Sequence, residues 1–380
     1  MRLRALAVGA AILAAAGPAF ADPILVTHHN AVAPAVGGGR VFWAEQHGRH
    51  AALLTATPGG HASTIFRLTG PHAAHSPYAQ ITRVAASTHF MAFTVSTGYG
   101  DPYTCPAIDE HPAGDSRCRA GRETFNALYA GPVGGPYRRL AGVTGERTSR
   151  CRAGSAAGTI DVSGGAVAFA EVVVHCTGQV RSATSRIVVR DGGGAGKARV
   201  LAGCHVHRSS SPQNDGVAVA GQYLAWSPDA CDWQGRIRLF RWHSGKLVYR
   251  LPLRYYVRPF DVAKDGTVIG QPTLSVNGQD EQGYLAAFPP RRHPHPQILP
   301  RFGIRVDALS ASHHSLAVGY APTDGSKTDV LVTSDRQGNH RNELSSELDS
   351  VFPWMDCDGS VAAWSQGDPP NRLYASGVGR

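Results

Sequence analysis

Seven short apolar segments recur along the chain, and each begins near a glycine-rich or polar turn. They are VFWAE from Val41, FMAFT from Phe90, VAFAE from Val167, YLAWS from Tyr223, VIGQP from Val268, LAVGY from Leu316 and VAAWS from Val361. Their spacings are 49, 77, 56, 45, 48 and 45 residues. A period near 45 residues made of short strands is typical of a β-propeller with about four strands in each blade. The pattern predicts this all-β architecture but no particular activity, because propellers serve as enzymes, binding proteins and scaffolds.

The strands of one blade are named A, the innermost, to D, the outermost. The third repeat reads TIDV, AVAFAEVVV, RIVVRD and ARVLAG, and the fourth reads GVAVAG, YLAWSP, RIRLFRW and LVYRLPL. The B strands are apolar on both faces, as expected for a strand that is covered by a blade on either side. Each repeat therefore predicts one four-stranded blade.

The two ends of the chain predict how the ring closes. The last repeat offers an A strand (SVFPWMD), a B strand (SVAAWSQ) and a C strand (RLYAS), but no D strand. The segment ILVTH from Ile24 precedes the first A strand and has no blade of its own. We expect the N-terminal strand to complete the C-terminal blade, because closure covers two exposed strand edges. Seven blades are predicted; six or eight stay open, because the 77-residue interval is ambiguous.

The N-terminal residues have the pattern of a secretory signal. Arg2 and Arg4 precede the apolar stretch 5–16, and Ala19-Phe20-Ala21 is a cleavage motif. The apolar stretch is too short for an ordinary transmembrane helix, and no later segment approaches 18 uninterrupted apolar residues. The sequence predicts a signal peptide at 1–21 and a single propeller domain at 22–380, exported to the periplasm or secreted, without a transmembrane segment.

Composition and charge narrow the possible partners. Hydrophobic residues make up 42% of the chain and charged residues 17%, which suits a large core. The formal net charge of +9 comes from scattered arginines with only four lysines, and no basic stripe is interleaved with aromatic residues. We therefore expect no binding to nucleic acid and at most weak attraction to an anionic envelope or polysaccharide. The protein is expected to be a monomer.

Two turn motifs carry a family resemblance. Asp265-Gly266 and Asp358-Gly359 each precede an apolar B strand, and Leu128-Tyr129 and Leu373-Tyr374 lie in C strands. In these features the chain resembles secreted TolB-like and WD40-like propellers. The Trp-Asp dipeptide of WD40 repeats, the Asp-box of sialidases and the paired glycines of kelch repeats are absent. The resemblance implies a rigid platform, often for protein partners, and no specific reaction.

Seven cysteines in an exported chain predict disulfides. Six of them fall in B–C or D–A loops, and the predicted pairs are Cys105–Cys118, Cys151–Cys176 and Cys204–Cys231, although sequence alone does not prove a connectivity. Cys357 is left over and is expected to be a buried free thiol. The long loops 97–123, 142–157 and 203–216 emerge on the same side, so this side of the propeller is predicted to be elaborated and braced.

That loop face has two interpretations, a binding surface or loops cross-linked against proteases. Long loops on a rigid scaffold concentrate function, so we expect a non-catalytic surface that binds a protein or an envelope glycan. The candidate binding residues are aromatic, charged or imidazole side chains of the loops: Tyr99, Tyr103, Asp109, Glu110, His111, Arg181, His205, His207, Asp232 and Trp233.

Metal sites are weaker candidates. Cys204, His205 and His207 suit zinc or copper, but in an oxidising compartment Cys204 is expected to be disulfide-bonded instead. Four aspartates fall near the ends of A strands, which line the central channel. These aspartates, Asp161, Asp261, Asp307 and Asp356, are compatible with a calcium site, and the favoured interpretation is that each accepts hydrogen bonds from backbone in its own turn.

Catalysis is the alternative function. Asp109 and Glu110 are paired carboxylates compatible with acid–base chemistry or with a solvated loop tip. An enzyme of lyase or glycosidase type, acting on an extracellular polymer, would need acid and base groups that converge at the channel mouth. The chain contains no nucleophile elbow, no HExxH motif and no phosphate-binding loop. No cofactor is expected.

Overall fold

The computed structural model describes seventeen segments of the chain. They are residues 24–27, 31–47, 49–69, 77–99, 125–142, 154–177, 180–205, 216–228, 236–252, 256–276, 279–282, 284–299, 305–312, 315–321, 329–348, 355–366 and 372–378. In these segments the secondary structure is almost entirely β-strand, with one 3₁₀ turn at Gly192–Gly194. None of the described residues belongs to a helix long and apolar enough to cross a membrane.

The strands form seven antiparallel sheets around an axis, which confirms the predicted seven-bladed propeller. Blade 1 contains β2 (Ala31–Gly37), β3 (Arg40–His47), β4 (His50–Ala56) and β5 (Ser63–Thr69). Blade 2 contains β6 (Pro77–Ala86), β7 (Phe90–Tyr99), β8 (Phe125–Pro132) and β9 (Arg138–Gly142). Blade 3 contains β10 (Gly154–Ser163), β11 (Ala166–Thr177), β12 (Val180–Arg190) and β13 (Arg199–His205).

The remaining blades follow the same order. Blade 4 contains β14 (Gly216–Ala220), β15 (Tyr223–Ser227), β16 (Arg238–Arg241) and β17 (Lys246–Arg250). Blade 5 contains β18 (Tyr256–Val262), β19 (Val268–Val276), the short β20 (Gln279–Gln282), β21 (Leu285–Phe288) and β22 (Gln297–Leu299). Blade 6 contains β23 (Arg305–Ala311), β24 (Ser315–Ala321), β25 (Asp329–Asp335) and β26 (Asn342–Leu348).

Blade 7 is closed by the N-terminal strand. Its order is β1 (Ile24–Thr27), β29 (Arg372–Gly377), β28 (Val361–Gln366) and β27 (Met355–Cys357). β1 runs antiparallel to β29, with Leu25 opposite Tyr374. The predicted closure is thus confirmed. In the ambiguous 77-residue interval, the described strands complete blade 2 and begin blade 3 without an additional sheet.

The core lies between the blades. Among the described residues, seven clusters of buried apolar side chains each join two neighbouring blades. The B strands contribute most because they are apolar on both faces, and every residue of YLAWS in β15 is buried. Large aromatic side chains occupy one equivalent B-strand position in five blades: Trp43, Phe93, Phe169, Trp226 and Trp364. Burial of these side chains is the main force that holds adjacent blades together.

Blade 3 is longer than the sequence predicts. The β11–β12 ladder continues to Thr177 opposite Val180, so only residues 178 and 179 connect the strands. Cys176 and Arg181, predicted in loops, therefore lie in strands directly opposite each other. Cys204 likewise lies within β13, opposite Ser185. The run of β-favouring residues after Val172 lets the ladder extend beyond the blade core, which the sequence reading did not anticipate.

Candidate functional site

The central channel contains two cavities separated by a ring of polar side chains. A cavity of about 1480 Å³ lies among the A–B and C–D turns and is lined by all seven blades. A second cavity of about 270 Å³ is lined by earlier residues of the A strands. Asp161, Asp261, Asp356 and Ser310 line both cavities, so these four side chains mark the boundary between them.

Each of the three aspartates in this ring binds backbone of two blades. Asp161 accepts hydrogen bonds from the N–H of Val162 at 2.7 Å and from the N–H of Val219 in blade 4 at 2.6 Å. Asp261 accepts one from Val262 at 2.7 Å and one from Ala311 in blade 6 at 2.7 Å. The carboxylates therefore connect the innermost strands of neighbouring blades.

Asp356 makes the same connection across the closure of the ring. Its Oδ2 accepts a hydrogen bond from the N–H of Val36 in blade 1 at 2.7 Å. Its Oδ1 accepts from the N–H of Cys357 at 2.8 Å and from the hydroxyl of Ser310 at 2.9 Å. Own-turn hydrogen bonds were expected from the sequence, but the bonds to the next blade were not.

These aspartates occupy one equivalent register position in blades 3, 5 and 7. They pair with Ala168, Ile269 and Ala363 of their B strands. Asp161 lies two residues before the end of β10, and Asp261 and Asp356 are the penultimate residues of β18 and β27. The other four blades carry small residues there: Ala35, Ala85, Ala218 and Ser310. Asp307, which the sequence grouped with them, lies instead at an irregularity of β23 between Val306 and Ala308. Its side chain lies outside what the structure describes.

Burial changes the acidity of the ring. Loss of solvation raises the pKa of Asp161 to about 7. Hydrogen bonds from two backbone N–H groups favour the charged form and lower the pKa, but burial has the larger effect. Burial also raises the pKa of Asp261, and the neighbouring charge of Asp161 adds to this effect. Burial raises the pKa of Asp356 as well. The three carboxyl groups therefore resist simultaneous ionisation.

A second aspartate in blade 7, Asp358, adds another hydrogen bond between blades 7 and 1. Asp358 Oδ2 accepts a hydrogen bond from the N–H of Gly39 in blade 1 at 2.9 Å. Burial alone would raise the pKa of Asp358, but hydrogen bonds from Gly39, Ser360 and Val361 outweigh it and hold the pKa below its ordinary value. Asp358 is thus charged at neutral pH, and its pKa is shifted in the opposite direction to those of Asp161, Asp261 and Asp356.

The structure places only part of the predicted binding surface. Tyr99 ends β7, Arg181 lies in β12, and the exposed His205 ends β13. The other predicted binding residues lie outside the described segments: Tyr103, Asp109, Glu110, His111, His207, Asp232 and Trp233. Their grouping on one face stays a prediction.

The cysteines are described in part. Cys204 is disulfide-bonded, which argues against a thiolate metal ligand at this position. Its partner is not described, so the pairs Cys105–Cys118, Cys151–Cys176 and Cys204–Cys231 stay predictions. Cys357 is a buried free thiol, as expected, and burial raises its pKa to about 12.

The described residues contain no group of three or more His, Cys, Asp or Glu side chains arranged to hold a metal ion. The carboxylate oxygens of Asp161, Asp261 and Asp356 are occupied by backbone N–H donors.

The sequence does contain a signal for the aspartate ring. An aspartate is followed by one apolar residue and then by a glycine-containing turn in IDVSGG, FDVAKDG and MDCDG. The signal identifies the aspartates, but the partner strand is visible only in the fold.

Comparison with known proteins supports the architecture. No protein-family model and no curated protein matches the chain. The β-propeller domain of the Trilobed protease from Pyrococcus furiosus matches with a TM-score of 0.52 at 8% identity, covering 91% of this chain and 92% of that chain. The acylaminoacyl peptidase of Pyrococcus horikoshii matches with a TM-score of 0.54 at 9% identity, covering 91% of this chain and 50% of that chain. This chain therefore spans about half the length of that peptidase.

TolB from Acinetobacter baumannii is also similar, with a TM-score of 0.41 at 10% identity over 90% of this chain and 82% of that chain. At such identities a likeness shows the fold alone. The expected resemblance to propeller proteins is confirmed at that level by the two Pyrococcus matches, whose TM-scores are 0.52 and 0.54. The Trilobed protease domain is described as having an open velcro topology, whereas β1 and β29 pair here.

Proposed function

We propose that this chain is an exported, monomeric, non-catalytic propeller that captures a protein or envelope-glycan partner through its disulfide-braced B–C/D–A loop face. The observation that carries the proposal is the extension of the blade 2 and blade 3 hairpins on that side. β6 and β7 stay paired to Pro77 opposite Tyr99, and β11 and β12 stay paired to Thr177 opposite Val180.

The two faces of the propeller differ in their connections. On the A–B side, two-residue turns join the strands in blades 1, 3 and 4. The strand ends on the B–C/D–A side of blades 2, 3 and 4 are connected through the longer segments 100–124, 143–153 and 206–215. Long connections on a rigid scaffold are the usual location of recognition.

The base of the blade 3 hairpin is fixed by an ion pair. Arg186 Nη2 lies 2.7 Å from Glu171 Oε2, and Arg186 Nε donates a hydrogen bond of 2.7 Å to the same oxygen. Glu171 is buried, so this contact is shielded from solvent on one side. A hairpin held at its base presents its tip with less loss of conformational entropy on binding.

The enzyme alternative is less well supported. It requires acid and base groups free to act at the channel, and both oxygens of Asp161, Asp261 and Asp356 already accept backbone hydrogen bonds. These groups therefore act as connections between blades. Binding on the loop face needs no such groups.

The test is capture by immobilised protein from the native exported fraction and from purified envelope glycans. We expect the double variant Tyr103→Ala/Trp233→Ala to lose capture while the thermal unfolding midpoint is unchanged. The matched control is His243→Ala/His340→Ala, two exposed side chains on the opposite face. Capture that survives the first double variant, or that only the control abolishes, would overturn the assignment of the face.

A further inference from the structure

The outer strands of three consecutive blades expose large apolar side chains. Val200 on β13 is 52% exposed, Leu247 on β17 is 42% exposed, and Ile298 on β22 is 62% exposed. Only one other large apolar residue in the described part of the chain is exposed, Ile24 on β1. Three of these four side chains thus lie on the rim of blades 3, 4 and 5.

The same rim is strongly basic. Its exposed cationic side chains are Lys197, Arg199, Arg241, Lys246, Arg250, Arg291 and Arg292. Within segments 184–205, 236–252 and 284–299, which form the outer halves of these blades, the single carboxylate is Asp191. A large part of the net charge of +9 is therefore concentrated on one side of the ring.

Contacts between the blades make this rim one continuous surface. Arg199 Nη1 donates a hydrogen bond of 3.2 Å to the carbonyl oxygen of Trp242, which joins the edges of blades 3 and 4. The Tyr249 hydroxyl donates one of 3.3 Å to the carbonyl oxygen of Phe288, which joins blades 4 and 5. The basic and apolar side chains are therefore held on a rigid wall.

We propose that this rim, the outer strands and C–D turns of blades 3 to 5, binds edge-on to a membrane surface that contains anionic phospholipids. Basic side chains are attracted to the phosphate-rich surface, and Val200, Leu247 and Ile298 enter the boundary between headgroups and acyl chains. The exposed aliphatic side chains favour a lipid surface over a nucleic acid or a polysaccharide, because neither of these offers an apolar layer to receive them. The charge complementarity is with lipid phosphate.

The edge-on orientation follows from the position of the rim. The blades radiate from the axis, so the outer strands form the side wall of the ring. The two ends of the channel and the B–C/D–A strand ends lie on the top and bottom faces. Membrane binding through the rim therefore leaves the loop face accessible. This inference is independent of the proposed partner capture, and either can fail without the other.

The test is co-sedimentation of the full chain with vesicles of phosphatidylcholine alone and of phosphatidylcholine mixed with phosphatidylglycerol. We expect binding only to the mixed vesicles, and weakening by high salt. The variant Lys246→Gln/Arg250→Gln is expected to bind at least about tenfold more weakly, since each basic residue near an anionic surface contributes about fivefold. The matched control Arg67→Gln/Arg372→Gln removes two exposed arginines from blades 1 and 7 and is expected to bind like the wild type.

The apolar side chains are tested separately with Val200→Ser/Leu247→Ser/Ile298→Ser. These positions are exposed, so the variant is expected to fold with an unchanged unfolding midpoint and to lose most of its binding. Absence of binding to mixed vesicles overturns the proposal. So does binding that the apolar triple variant leaves intact, or binding that soluble heparin or duplex DNA removes as effectively from the triple variant as from the wild type, because these results indicate an ordinary polyanion site.

Discussion

Asp356 accepts a hydrogen bond of 2.7 Å from the backbone N–H of Val36, a residue 320 positions earlier in the chain. The bond joins the innermost strands of the last and first blades, β27 and β2, which lie at opposite ends of the chain. Asp161 and Asp261 make the corresponding bonds to Val219 and Ala311. One local sequence feature thus joins three of the seven pairs of neighbouring blades.

Removal of the carboxylate at the closure should destabilise the whole ring. Asp356→Ala leaves the Val36 N–H and the Ser310 hydroxyl without this acceptor, and we expect the free energy of unfolding to fall by about 2–4 kcal/mol. Urea unfolding followed by fluorescence measures the change. The control Asp191→Ala alters an exposed aspartate and is expected to stay within about 0.5 kcal/mol of wild type. Equal stability of the two variants would show that the bond is dispensable.

Stability should depend on the ionisation of the ring. The folded-state pKa of Asp161 is about 7, above its ordinary value of 3.8, so the folded chain binds this proton more tightly than the unfolded chain. This contribution is complete below about pH 4 and is lost as the pH rises through about 7, at a cost on the order of 4 kcal/mol. We expect the thermal midpoint to decline from pH 5 to pH 8.

The variant Asp161→Asn isolates that contribution, because the amide cannot ionise but keeps an oxygen acceptor. Its thermal midpoint is expected to vary less over the same pH range, whereas Asp191→Asn should follow the wild-type curve. A wild-type profile that rises from pH 5 to pH 8 would mean that the backbone donors dominate over burial.

Alanine substitutions at two glycines distinguish the cost of backbone strain from the cost of steric overlap. Gly193 has φ +63° and Gly245 has φ +69°, so alanine is strained at both by about 1–2 kcal/mol. A Cβ on Gly193 would overlap the ring of Phe90 in blade 2, whereas a Cβ on Gly245 has nothing within 4 Å. We expect Gly193→Ala to be less stable than Gly245→Ala by a further ~1–3 kcal/mol in urea unfolding. Equal losses would show that blade 2 adjusts to the methyl group.

Thiol counting tests the buried cysteine together with the predicted disulfides. Cys357 is buried with a pKa raised to about 12, so an aromatic disulfide reagent should not label the native protein at neutral pH. After unfolding without reductant, one thiol per chain is expected if the other six cysteines are paired. Three or more thiols would contradict the predicted set of disulfides, and the Cys357→Ser variant should reduce the count by one.

The sequence predicted the ring because its information is periodic. The apolar B strands, the tight turns and the unpaired ILVTH segment are local features, and each led to the observed blade count and closure. The interblade bonds of the aspartates were not predictable, because they depend on which backbone N–H of the next blade lies opposite. Asp307 illustrates the limit: its distance from the B strand resembles that of Asp261, but the regular pairing of residues 308–311 with residues 316–319 places Ser310 in the equivalent register.

The length of the β11–β12 ladder in blade 3 was also not predicted from the sequence. Short polar residues such as Ser182 and Thr184 look like a loop, yet they pair with His175 and Val173 in a continued ladder. The rim surface was not predictable from the sequence for a different reason. Val200, Leu247 and Ile298 each belong to a separate repeat, and only the assembled ring brings their outer strands onto one side.

The pairing of β1 with β29 connects the first and last strands that the structure describes. Protein synthesis proceeds from the N-terminus, so β1 remains unpaired while the strands of the first six blades are synthesised. Its four residues pair only after Arg372–Gly377 have left the ribosome or the export channel. The ring therefore acts as a check on chain length. A product that stops short of β29 leaves the edge of β1 unpaired and part of the apolar face of blade 1 uncovered, and quality-control proteases would encounter it in that open form.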